Sequence, residues 1–220
     1  KASNYNLLDT SKTTTANISK ASLTATLNDN SKTYDGISYS GGNGITFNGF
    51  VNGETASLLG GNLVYSGTSQ GAKDAGNYII SGSGLTSNNY NISFVDGKLT
   101  INKKDLTISN ITANNKIYDG TTTATLSNIG TLVGLVTGED LVLNNPTSVI
   151  FSSKDVADGI TVTASGYTIA DKDSFKASNY NLLDTSKTTT ANIVASVNPT
   201  PTVDEKVQRV IASIEPSTNS

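Results

Sequence analysis

The chain has 220 residues, a net charge of −3, 35% hydrophobic residues and 15% charged residues. No Lys/Arg stripe is present to neutralise phosphates, and no apolar run is long enough for a bilayer, so nucleic acid and membrane insertion are not expected. His, Cys, Met and Trp are absent, which removes disulfides, thiolate metal sites and the usual nucleophile–base pairs.

Gly, Ser, Thr and Asn fill the remainder, the composition of short strands joined by many turns. Leu, Ile, Val and Tyr recur at regular spacing, unlike a disordered tract. In chain order, Lys1 to Ile18 reads KASNYNLLDTSKTTTANI, and Lys176 to Ile193 repeats it letter for letter. The spacing from 1 to 176 is 175 residues. A fold preserves pattern and not every exposed Ser and Thr, so full identity marks a recently duplicated unit. Residues 1–18 are therefore expected to be the end of a preceding repeat. Within the unit, Tyr34-Asp35-Gly36 returns as Tyr118-Asp119-Gly120, 84 residues on from 34 to 118. Similar approaches precede the two triplets, Asn30-Ser31-Lys32-Thr33 and Asn114-Asn115-Lys116-Ile117. Asn89-Tyr90-Asn91 and Asn179-Tyr180-Asn181 open the closing strands. Two modules follow, at 19–102 and 103–193.

Alternation marks the strands. In the first module Leu23, Ala25 and Leu27 face one way and Thr24 and Thr26 the other. Tyr78 with Ile80, then Tyr90, Ile92 and Phe94, then Leu99 and Ile101 repeat the pattern. Asp96-Gly97 between the last two runs predicts a two-residue hairpin turn. Gly53 to Leu59, stopped by Gly60-Gly61, predicts a short helix, giving an α+β module of about five strands. The second module reads as all-β, with runs at Leu106–Ile108, Leu141–Leu143, Val149–Phe151, Ile160–Thr163 and Tyr180–Leu183. The fold class is thus mainly β. Pro199 and Pro201 mark an extended linker at 194–202. Val203, Val207, Val210, Ile211 and Ile214 recur at helical spacing behind a Thr202/Glu205 capping box, predicting a C-terminal amphipathic helix and tail at 203–220.

Gly49-Phe50-Val51-Asn52-Gly53-Glu54-Thr55-Ala56, Gly76-Asn77-Tyr78 and Tyr90 to Ile101 together resemble the bacterial MBG repeat. Lys116 to Thr122, Gly138-Glu139-Asp140, Phe151, Lys154-Asp155-Val156 and Ala177-Ser178-Asn179-Tyr180 resemble the YDG repeat. Such repeats are similar to those of filamentous-haemagglutinin-like exoproteins exported by two-partner secretion. The resemblance implies a β-grasp-like first module and a stalk or spacer role in a secreted or surface adhesin, in cell adhesion, biofilm formation or virulence. The cysteine pair near the C-terminus of some such adhesins has no counterpart here.

As for chemistry, Tyr34, Asp35, Gly36, Tyr118, Asp119 and Gly120 read as structural: Asp-Gly makes a turn and the Tyr ring packs with its hydroxyl satisfied. No Ser–Lys pair or carboxylate pair stands out, so no enzyme is expected. Oxygen ligands make calcium the metal to weigh, through Asp171 with Asp173 or Asp155 with Asp158, yet neither loop continues as an EF-hand. Solvated acidic loops and no cofactor are the expectation. Asn17, Asn91 and Asn110 head glycosylation sequons, a frequency chance supplies in so Asn/Ser/Thr-rich a chain. The expected partners are neighbouring repeats of the same chain, with a monomer in isolation. The alternative is direct binding of host or matrix glycans, or of a protein receptor, through some of the nine Tyr and five Phe.

Overall fold

The computed structural model describes residues 1–6, 8–196 and 209–210. They fall into two compact units: residues 1–104 with Ser178–Asn181, and residues 105–177 with the chain from Leu182 onward. Both are β-rich, and no described helix reaches seven residues. Most of the predicted linker 194–202 and of the predicted helix and tail 203–220 lies outside the described residues.

In the first unit the strands are β1 (Ala21–Leu27), β2 (Asn30–Thr33), β3 (Ile45–Asn48), β4 (Gly60–Ser66), β5 (Gly76–Thr86), β6 (Tyr90–Val95) and β7 (Gly97–Asn102). They form a three-stranded sheet, β3-β1-β6, and a four-stranded one, β2-β7-β5-β4. β1 runs antiparallel to β3 and parallel to β6, with Leu23 opposite Ile92. β7 runs antiparallel to β5, with Leu99 opposite Tyr78, and parallel to β2. The alternation in β1 does what the pattern predicts. Leu23, Ala25 and Leu27 are buried, and each large side chain so placed stabilises the fold by about 1.5–3 kcal/mol. Ile80, Leu99, Ile101, Tyr34 and Tyr90 complete this core. Leu27 packs on Gly82 of β5, where an added Cβ would lie 3.0 Å from both of its δ carbons.

Three expectations need correction here. Asp96-Gly97 is not a hairpin turn, because β6 and β7 belong to different sheets. Gly97 is buried and does not have positive φ; a Cβ there would come within 2.6 Å of the Leu27 carbonyl oxygen. The glycine serves a close backbone approach where the chain changes sheet. The helix expected at Gly53–Leu59 is a single 3-10 turn, Ala56–Leu58, with no buried residue. Nothing on it faces a core, so nothing propagates it past one turn. The unit has seven strands where about five were expected: β2 carries no apolar residue, β3 is only four residues long and β4 opens on two glycines.

The second unit contains β8 (Lys104–Ser109), β9 (Thr112–Ala113), β10 (Lys116–Ile117), β11 (Leu126–Asn128), β12 (Thr131–Val133), β13 (Val142–Leu143), β14 (Ser148–Phe151), β15 (Ala157–Ser165), β16 (Ile169–Ala170), β17 (Tyr180–Leu182) and β18 (Ser186–Val194). β8 starts and β17 starts in residues assigned to the first unit. The main sheet has the order β10-β18-β15-β14. β15 and β18 pair antiparallel from Ser165↔Ser186 to Ala157↔Ile193, with an irregularity between Ala157 and Ile160. β10 pairs parallel with the end of β18. One core group gathers Ala124, Phe151, Ile160, Val162, Ala191 and Ile193. A second gathers Ile108, Ala164 and Tyr167, with Leu126, Leu132 and Leu143 packed on it.

Residues 1–18 form no strand. They hold a 3-10 turn at Ala2–Asn4 and are exposed at every described position.

Candidate functional site

The repeated triplet is built twice on one plan, and the plan begins two residues earlier than sequence reasoning placed it. In the first copy, Asp35 Oδ1 accepts the Ile37 N–H at 2.9 Å, closing a turn in which Gly36 has φ +74°. Lys32 stands 2.6 Å from the same oxygen and donates to the Ile37 carbonyl at 3.0 Å. In the second copy, Asp119 Oδ1 accepts the Thr121 N–H and the Thr121 hydroxyl, both at 2.9 Å, and Gly120 has φ +77°. Lys116 stands 2.7 Å from Asp119 and donates to the carbonyls of Thr121 (2.8 Å) and Thr123 (3.0 Å). It also lies 5.7 Å from the centre of the Phe151 ring. The pattern is therefore Lys-x-Tyr-Asp-Gly. An Asp side chain closes this turn onto the backbone two residues on, and Gly accepts the positive φ without strain. The recurrence of Lys two residues before each Tyr was the signal that could have found the lysine.

The electrostatics follow the geometry. Burial pushes the Asp35 carboxyl up, but the Lys32 and Ile37 bonds outweigh it and hold the group below its usual range. The Lys116 ammonium, then the Thr121 N–H and hydroxyl, hold Asp119 down to about 2. The two tyrosines part company. Tyr34 is 3% exposed and meets the Tyr180 ring edge-on, 5.4 Å between centres. Tyr118 is 43% exposed, so the expectation of a packed ring holds at Tyr34 and fails at Tyr118. Only the backbone is shared: Tyr34 N–H donates to Asn102 and Tyr118 N–H to Val194, each at 2.8 Å. The second turn lies against the end of β18.

A third closure ties down the loop Gly49–Glu54. Tyr90 donates its hydroxyl hydrogen to the Glu54 carboxylate, and its oxygen accepts the Val51 N–H at 3.1 Å. The bond to Glu54 raises the Tyr90 phenol above its ordinary pKa. Phe50 packs edge-on against the Tyr90 ring at 5.3 Å. Gly49, at φ +118°, passes so close to β1 that a Cβ would lie 2.5 Å from the Ser22 carbonyl oxygen.

Residues 23–100 match the model of the MBG domain (YGX type), and residues 102–191 match that of the YDG domain. The chain carries an MBG domain followed by a YDG domain. Among curated proteins, no relative matches it. In these terms the Tyr90–Glu54 closure belongs to the MBG domain and the Asp119 turn to the YDG domain. Asn179 and Tyr180, inside the YDG match, belong to the first unit. There Asn179 is buried, its Nδ2 donating to Asp74 at 2.9 Å and its Oδ1 accepting the Ala75 N–H at 2.8 Å.

The remaining candidates are not brought together. Among the described residues no group of three Asp or Glu gathers in a way that could hold a metal ion. In the YDG domain Asp171 accepts the Ala177 N–H at 2.7 Å, Asp155 is bonded to Ser153, and Asp173 occupies a positive-φ position. Asp158 is exposed. The three sequon asparagines are all exposed: Asn17 in the unpaired opening segment, Asn91 on β6 of the MBG domain, and Asn110 at φ +59° after β8. Among the described residues only Tyr5 and Tyr118 are exposed aromatics. The Tyr39, Tyr65 and Tyr78 hydroxyls are occupied by Asn30, Gly44 and Asp74. Tyr167 was not singled out by sequence. It is buried in the YDG domain, its hydroxyl has no hydrogen-bond partner among the described residues, and burial raises its pKa. No described helix is long and apolar enough to cross a membrane.

Proposed function

We propose that this chain is a spacer segment of a large exported bacterial surface adhesin, with no catalytic activity of its own, whose MBG and YDG domains extend a stalk and take neighbouring repeats as partners. The observation that carries this reading is the recurrence of eighteen identical residues at a spacing of 175 in a chain of two different β domains. Repeats that only lengthen a fibre tolerate duplication without change, since each contacts mainly its neighbours. The Lys-x-Tyr-Asp-Gly corners support it as well, because each lysine and aspartate is bonded to the other and to the backbone of its own turn. The finer likeness of the MBG domain to a β-grasp is part of the same proposal. It rests on the parallel pairs β1–β6 and β2–β7. Secretion to the cell surface, with a place in adhesion or biofilm, belongs to this reading too.

One observation favours direct glycan binding: the exposed ring of Tyr118 beside the Lys116 corner. Arrays of glycans and matrix proteins probed with the purified chain test the choice. Silence is expected. Saturable binding of one glycan, abolished by Tyr118→Ala without loss of folding, would replace the spacer by a receptor-binding module.

A further inference from the structure

We propose that Asn52 is a site of spontaneous covalent modification, converting through a cyclic imide to aspartate and isoaspartate in the folded chain ahead of the other Asn-Gly steps. The chemistry is intramolecular. The backbone nitrogen of the following residue attacks the asparagine Cγ, an N–Cγ bond forms, and the Cγ–Nδ2 bond breaks. The departing nitrogen takes up the backbone amide proton and leaves as ammonia. A solvent water then opens the ring at either carbonyl, giving aspartate or a main chain rerouted through the side chain. Glycine in the following position favours the attack, because no Cβ hinders the rotation that brings nitrogen to Cγ.

Three Asn-Gly steps occur, all in the first unit: Asn43-Gly44, Asn48-Gly49 and Asn52-Gly53. All three asparagines are exposed, so exposure does not separate them. Their attachments do. Asn43 is anchored at both reacting ends: its Nδ2 donates to the Asp29 carbonyl at 2.8 Å, and the Gly44 N–H donates to the Tyr65 hydroxyl at 3.1 Å. Each hydrogen bond that must open first adds about 1 kcal/mol to the barrier, and two of them slow the step by about tenfold or more. Asn48 is held in β3 opposite Thr24. The close approach of Gly49 to the Ser22 carbonyl leaves that peptide little room to turn. Asn52 has neither restraint. It and Gly53 form the tip of a turn closed by the Glu54 N–H on the Val51 carbonyl at 3.0 Å. Both have left-handed φ, +53° and +75°, in the primed turn that favours an Asn-Gly pair. Among the described residues the Asn52 side-chain amide and the Gly53 N–H have no hydrogen-bond partner, and nothing lies within 4 Å of where a Gly53 Cβ would be.

The product acts on the closure beside it. Isoaspartate lengthens the main chain between Val51 and Glu54, the two residues that the Tyr90 hydroxyl holds. Either product adds a negative charge two residues from the Glu54 carboxylate. Both changes loosen the loop from Tyr90.

The test ages the full chain at mildly alkaline pH and follows each site by peptide mass mapping, with fragmentation that separates aspartate from isoaspartate. Asn52 is expected to convert at least about tenfold faster than Asn43 or Asn48. In concentrated urea, where the attachments are gone, the three rates are expected to converge. The Val51 amide should exchange faster in aged than in fresh protein. Asn52→Gln, whose side chain would have to close a larger ring, should keep its Val51 amide unchanged over the same period. Three results would overturn the proposal: Asn52 converting no faster than Asn43 or Asn48 in the folded chain, a ranking that persists in urea, or a converted chain whose Val51 amide exchanges as before. The second would place the cause in the neighbouring residues and not in the fold.

Discussion

The corner at Lys32–Gly36 and the corner at Lys116–Gly120 share sequence and turn geometry, yet they hold opposite ends of their motif. In the first, the aromatic ring is committed to the core and the lysine makes two contacts with one loop. In the second, the ring faces solvent, and the lysine gathers two backbone carbonyls, a hydroxyl and a carboxylate while lying near Phe151. What is constant is the aspartate closing a turn through glycine. The motif is thus a turn first, and its tyrosine is put to use only where a neighbouring surface offers a pocket.

The sharpest break between the corners is expected at the tyrosines. Tyr34→Ala should destabilise the first unit by about 3–5 kcal/mol, as large-to-small changes of buried aromatics do, whereas Tyr118→Ala should stay within about 0.5 kcal/mol. Urea unfolding followed by unit-specific amide signals measures both, and equal losses would dissolve the distinction. The lysines should rank the other way. Lys116→Met removes the donor to three exposed acceptors and is expected to cost about 0.5–1.5 kcal/mol, with Lys32→Met costing about half as much on the same assay. Gly36→Ala and Gly120→Ala should then cost alike, about 1–2 kcal/mol each, because both residues sit at nearly the same left-handed φ. A clear inequality would mean that the turns are not equivalent.

The smallest effect is acid dependence. Asp119 is lowered to about 2 in the folded chain, against about 3.9 when unfolded. A depressed carboxylate contributes stability that is full above the unfolded value and is lost as pH falls through the folded one. The urea midpoint of the second unit should therefore drop between about pH 4 and pH 2. Asp119→Asn should flatten that part of the profile and lower the midpoint at neutral pH. Asp35→Asn should act in the same direction on the first unit.

Much of the fold could be read from residues with strong alternation. Leu23, Ala25 and Leu27 announced β1, and Leu99 with Ile101 announced β7, because a half-buried strand must put apolar side chains on one face. β2, β4 and β18 escaped notice, since their positions are mostly Gly, Ser, Thr, Asn and Lys held by ladder hydrogen bonds from better-marked neighbours. Asp96-Gly97 misled because a two-residue signal describes a local bend and cannot say which sheet the next strand joins. At the corners, Asp35 and Asp119 were legible as turn formers. The burial of Tyr34 and the exposure of Tyr118 were not, because a single letter carries no record of the surface it will meet.

The parallel pairing of β1 with β6 and of β2 with β7 has a mechanical consequence. The chain enters the MBG domain through β1 and leaves through β7, so tension along the polypeptide drags entry strands and exit strands past one another. Hydrogen bonds lie across the strand direction, and such a load strains a whole row of them together in place of peeling them singly. In a spacer of the kind proposed, a domain wired this way is expected to give way as a unit and not strand by strand.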